Sequence, residues 1–114
     1  MMTPQLQKAI HAAQDRKALD MTVLDLEGTS SFTSYFLICS GTSTRHVQGI
    51  CDAIVEQLET TGFTPAHIEG YSRADWILLD CFDFVVHIFV ERTRRFYDLE
   101  RLWKNAPRLP VPED

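Results

Sequence analysis

Cysteine is sparse in this 114-residue chain: three residues, Cys39, Cys51 and Cys81, each inside an apolar run and none in a Cys-x-x-Cys pair. An odd number at such spacing offers neither a disulfide framework nor a zinc site, so buried free thiols in a reducing compartment are the expected state. Long hydrophobic runs are missing, since nothing approaches the ~20 consecutive apolar residues that cross a bilayer. The opening MMTPQLQKAIHAAQDRK has no apolar segment of the secretory kind, contains no serine and carries Asp15, so no presequence is expected and a cytoplasmic location is. Glycine is scarce, and no loop holds the several glycines of a dinucleotide-binding or phosphate-binding turn. Positive charge is also short, with 11 Lys and Arg against 16 Asp and Glu for a net charge of −5. Affinity for a phosphate backbone comes mainly from Lys and Arg displacing counterions, so little direct nucleic-acid binding is expected and a basic partner fits better.

What is present reads as one domain. A hydrophobic content of 45% with 24% charged residues suits a soluble globular protein large enough for a single core. Thr3 and Pro4 form an N-cap and first-turn pair, and Leu6, Ala9, Ile10 and Ala13 follow on one helical face. Met21–Leu26 alternates as a strand with one face better buried than the other, and residues 27–31 break it. Tyr35–Cys39 is a nearly continuous apolar run, the pattern of an interior strand covered on both sides. Gly41-Thr42-Ser43-Thr44 opens a helix whose Val47, Ile50, Cys51, Ile54, Val55 and Leu58 share one face, with Gly62 at its C-terminal end.

Ala66–Tyr71 is expected to be extended, completing a strand–helix–strand crossover. Trp76–Leu79 and Phe84–Val90 read as a hairpin around Asp80-Cys81-Phe82-Asp83. Phe96, Leu99, Leu102 and Trp103 repeat at helical spacing, and Pro107, Pro110 and Pro112 should end regular structure. The order α-β-β-α-β-β-β-α implies an α/β fold, a mixed sheet of about five strands flanked by helices. Residues 1–106 form the expected domain and 107–114 a proline-rich tail.

The densest cluster of polar and aromatic residues is EGYSRADWILLDCFDFVVHIFV, Glu69–Val90, followed by RRFYDLERLW, Arg94–Trp103. It is poor in catalytic signatures. Asp80 and Asp83 lie three apart around a turn, whereas acids that share a metal on one strand stand two apart, so they read as turn formers. His11, His46, His67 and His87 show no zinc-helix spacing, and His87, inside an apolar strand, reads as a hydrogen-bonded core residue. Ser40–His46 lies where a helix N-terminus could hold an anion, yet its single glycine makes plain helix capping the simpler reading. No Gly-x-Ser-x-Gly elbow is present. No catalytic residue, metal or cofactor is therefore expected. Trp76, Phe82, Tyr97 and Trp103 are too many large aromatics for one small core, which leaves a binding surface, with Trp76 and Tyr97 favoured because acids flank them.

The stretch YFLICSGTSTRHVQGICDAI, the pair Glu69-Gly70 followed by WILLD, the strand DFVVHIF and the helix RFYDLERLW together resemble the ribosomal silencing factor family, also called Iojap or RsfS, from about Leu6 to Pro107. The resemblance implies a translation repressor that binds the large ribosomal subunit at large-subunit protein fourteen and blocks joining of the small subunit sterically. It further implies a nucleotidyltransferase-like topology without the catalytic acids, and a homodimer when free. Two positions depart from the family pattern: Ser34 stands where an Asp is usual, and Cys81-Phe82 replaces an aromatic-Gly pair in the turn, removing a permissive residue. A basic ribosomal partner would meet an acidic, aromatic-lined patch, and Glu69, Trp76, Asp80, Asp83, Tyr97 and Asp98 are its candidate contacts, with His87 and Trp103 supporting the fold. The alternatives are a nucleotidyltransferase-like enzyme using Asp80 or Asp83 with a divalent metal, and a homodimeric interaction module without a ribosomal role.

Overall fold

Thr3 starts the first helix as predicted: in the computed structural model, which describes residues 3–29 and 33–112, its Oγ1 accepts from the Leu6 N–H at 3.2 Å. Pro4 is the first residue of that helix, α1 (Pro4–Asp15), where the missing N–H costs nothing. Leu6, Ala9, Ile10 and Ala13 are fully buried along it. The second long helix, α2 (Thr44–Glu59), begins at Ser43, whose hydroxyl accepts from the His46 N–H at 3.1 Å. Capping therefore accounts for that loop. Gly62 closes the helix region at φ +78°, where a residue with a side chain would be strained.

Among the described residues six strands form one sheet in the order β3-β4-β5-β2-β1-β6, with β1 Leu19–Asp25, β2 Tyr35–Gly41, β3 His67–Glu69, β4 Trp76–Asp80, β5 Phe84–Val90 and β6 Arg108–Leu109. The β2 and β5 strands pair in parallel and the remaining neighbours antiparallel, which makes the sheet mixed. The hairpin of β4 and β5 is as read from sequence. The strand expected over residues 66–71 shortens to three residues because Gly70 takes φ +81° and turns the chain. Residues 30 and 31 of the expected break lie outside the described residues, as do the last two of the tail.

Two expectations are corrected. Regular structure continues past Pro107: Val23 and Leu24 of β1 pair with Leu109 and Arg108, and the Asp25 N–H donates to the Pro107 carbonyl at 2.8 Å. Pro107 and Pro110 flank this two-residue strand on the outer edge, where a missing donor is tolerated. The sheet thus has six strands where about five were expected. The final helix is also two: α3 (Glu91–Tyr97) and α4 (Leu99–Leu102) meet at Asp98, which sits in the left-handed region at φ 49°, ψ 60°. That single residue breaks the helical register, so Phe96 and Leu102, read as part of one helical repeat with Leu99 and Trp103, are 80% and 74% exposed.

Both sheet faces are packed. The larger core joins α1 and α2 to Val23, Leu37, Cys39, Ile77, Leu79, Val86 and Ile88. A smaller one on the opposite face gathers Leu24, Leu26, Phe36, Ile38, Val85, Phe89 and Ala106, with Leu99 and Trp103 against it. Adjacent residues Val23 and Leu24 are therefore both fully buried, one in each core, where the alternation of β1 suggested one better-buried face. All three cysteines are free and buried, and burial pushes each thiol up to about 12, which leaves them un-ionised and inert.

A candidate docking surface

The register of the sheet decides which side chains share its second face. Trp76 lies opposite Phe89, Leu78 opposite His87 and Asp80 opposite Val85, while Glu69 and His67 on the edge strand lie opposite Leu78 and Asp80. Directly paired residues project to the same side, so these eight line one surface. Toward β2 and β1 the face is covered by Leu99, Trp103 and Ala106. Toward β3 the cover ends: Trp76, Leu78 and Asp80 are half-buried, and His67 and Glu69 are exposed.

Trp76 is the centre of this open part. Its indole stacks on Phe89 with ring centroids 4.9 Å apart and 29° between planes, and meets Tyr97 of α3 at 4.8 Å. Tyr97 is 52% exposed, and Phe96 stands edge-on to it at 5.1 Å. The indole Nε1–H donates to His87 Nδ1 at 3.0 Å. Burial lowers the His87 imidazole to about 4, so it is neutral at physiological pH. Gly70 closes the arrangement from the edge, because a Cβ there would stand 2.2 Å from the Trp76 carbonyl oxygen. Beside the aromatics a cleft of about 490 Å³ is lined by Gly70, Arg73, Asp75, Trp76, Arg92 and Tyr97, among others.

The six candidate contacts are only partly brought together. Trp76 and Tyr97 touch, and Glu69 and Asp80 lie on the same face nearby. Asp80 also serves the turn, its Oδ1 accepting from the Phe82 N–H at 3.0 Å, and Glu69 meets His67 Nε2 at 2.8 Å. Asp83 is exposed beyond the end of β4, whose last residue, Asp80, is already about 13 Å along the strand from Trp76 at ~3.3 Å per residue. Asp98 is half-buried at the helix junction. Sequence reasoning passed over Phe96, Arg73 and Arg92, which border the aromatic pair. The signal available for them was proximity to Trp76 and Tyr97 in the chain, and the assumed single helix concealed it. Among the described residues, no three His, Cys, Asp or Glu side chains gather in a group that could hold a metal ion, and no helix is long and apolar enough to cross a membrane.

The family model for "Ribosomal silencing factor during starvation" matches residues 2–114. The chain belongs to the ribosomal silencing factor family. Its family role is translation regulation at the ribosome. A ribosomal silencing factor RsfS of Bacillus subtilis is 42% identical over 102 residues, covering 90% of this chain and 86% of that protein. A crystal structure from Bacillus halodurans superposes with a TM-score of 0.83 at 37% identity, covering 93% of this chain and 96% of the other. Another from Chromobacterium violaceum gives 0.85 at 28% identity, covering 99% and 95%. The α/β sandwich with a mixed sheet is thus the fold of this family, and the resemblance read in the sequence holds along the whole chain.

Proposed function

We propose that this silencing factor is a non-catalytic repressor that acts in the cytoplasm by docking on the large ribosomal subunit through large-subunit protein fourteen, excluding the small subunit sterically. The observation that carries the reading is the half-open aromatic pair of Trp76 and Tyr97 on an uncovered sheet face, with Glu69 and Asp80 beside it. Large amphipathic rings give contact area at low entropic cost, and acids at the margin complement a basic ribosomal protein while setting register. The net charge of −5 adds steering toward such a partner. Asp83 and Asp98 stand farther out and would contribute through long-range charge.

Purified protein added to separated subunits, followed by sucrose-gradient sedimentation, is expected to deplete joined ribosomes in proportion to its concentration. Full recovery of joined ribosomes at saturating protein would sink the reading. Trp76→Ala is expected to weaken large-subunit binding by at least about 2 kcal/mol, as truncation of a central aromatic anchor does, with an unchanged circular dichroism spectrum. Wild-type affinity in that variant would remove Trp76 from the interface.

A further inference from the structure

The stacking partners of Trp76 leave one question of geometry open. Phe89 and Tyr97 contact the indole at 4.9 and 4.8 Å, but ring contacts of this kind discriminate only weakly against a half-turn of the indole about its Cβ–Cγ bond. A half-turn would move the Nε1–H and the benzo edge to opposite sides and change what the face offers a partner. The hydrogen bond from Nε1–H to His87 Nδ1 at 3.0 Å discriminates between the two orientations. An indole is a donor only, so His87 must present a bare Nδ1 and carry its proton on Nε2.

That tautomer is held at a cost. His87 is 4% exposed, two residues from the position directly opposite Trp76, and its ring packs edge-on to Phe36 at 4.5 Å. Its Nε2 is buried without a hydrogen-bond partner among the described residues. An unpaired buried donor costs about 1–3 kcal/mol, and an apolar residue at this site on the sheet would avoid that penalty. What the imidazole supplies that an apolar side chain cannot is the acceptor for Trp76.

We propose that His87 is a positioning residue for the docking face, its Nδ1 fixing the Trp76 indole in the single orientation offered to the partner. This rests on the docking reading above, and the two can fail separately. In the free protein, nitrogen-15 NMR is expected to show His87 with a protonated Nε2 and a bare Nδ1, and one Trp76 indole N–H signal with slow hydrogen exchange. A protonated Nδ1 in the wild type overturns the proposal whether or not any variant folds. His87→Phe keeps a ring and removes the acceptor; it is expected to speed indole exchange and to weaken binding to purified large subunits about tenfold, the worth of one hydrogen bond. His87→Asn, whose amide oxygen falls near the place of Nδ1, is expected to restore slow exchange and most of the affinity. Wild-type affinity and indole exchange in His87→Phe overturn the proposal, as does failure of His87→Asn to recover either. If wild-type protein does not bind large subunits, the docking reading falls, and the tautomer and the indole exchange still decide for or against positioning by His87.

Discussion

Phe82 carries a backbone cost that its side chain does not repay. It sits in the left-handed region at φ +66° in the turn between β4 and β5, with 65% of its surface exposed. The left-handed conformation costs a residue with a Cβ roughly 1–2 kcal/mol, and little packing is lost on truncation here. Phe82→Gly should therefore raise the free energy of unfolding by about 1 kcal/mol in urea titrations, after allowance for the greater freedom of glycine in the unfolded chain. A fall in stability would mean that the ring holds the turn by contacts. The departure from the family pattern at Cys81-Phe82 was visible in the sequence, and so was the turn-forming role of Asp80, because both are local. That Trp76 stacks on Phe89 and Tyr97 was not legible, since it depends on pairing register and on where α3 lands.

The junction of α3 and α4 depends on one buried cation. Arg94 is 7% exposed, its Nε and Nη2 donating to the two Glu100 carboxylate oxygens at 3.1 and 3.0 Å and its Nη1 to Ser40 Oγ at 2.8 Å. The fork joins the second helix to the end of β2 across the turn at Asp98. Removing the carboxylate leaves a guanidinium buried with hydroxyls alone, so Glu100→Ala should destabilise by about 3 kcal/mol. The double change Arg94→Met with Glu100→Leu should recover most of that loss, because the desolvation penalty of both charges then disappears. Additive losses in the double variant would show that the ion pair is not what matters. At this scale α1 and α2 were readable from caps and a 3.6-residue period. The break at Asp98 was not, because aspartate tolerates the left-handed region without demanding it. Arg94 decides the matter through contacts with Ser40 and Thr22 far away in the chain.

Across the whole molecule the buried imidazole links stability to pH. In the unfolded chain a histidine titrates near 6.5, whereas His87 in the folded protein is held down to about 4 by desolvation. The unfolded state therefore takes the proton first. Stability is complete above about pH 6.5 and falls as pH drops toward 4, by about 2 kcal/mol at pH 5 on the linkage relation. Urea midpoints of the wild type should decline over this window, and those of His87→Phe should decline less; parallel curves would show that His87 exchanges with water. The same division between near and far separates what residue order alone establishes from what folding adds. Helix caps, the apolar faces of α1 and α2, the interior character of β2, the hairpin of β4 and β5 and the family signature are written in residues that neighbour one another, and their physics is local hydrogen bonding and periodic burial. The pairing of Arg108 and Leu109 with β1, the burial of both faces of β1, the open face centred on Trp76 and the orphaned Nε2 of His87 join residues distant in the chain. Those depend on which strands become neighbours and which face is left uncovered, choices settled by the packing of the entire sheet.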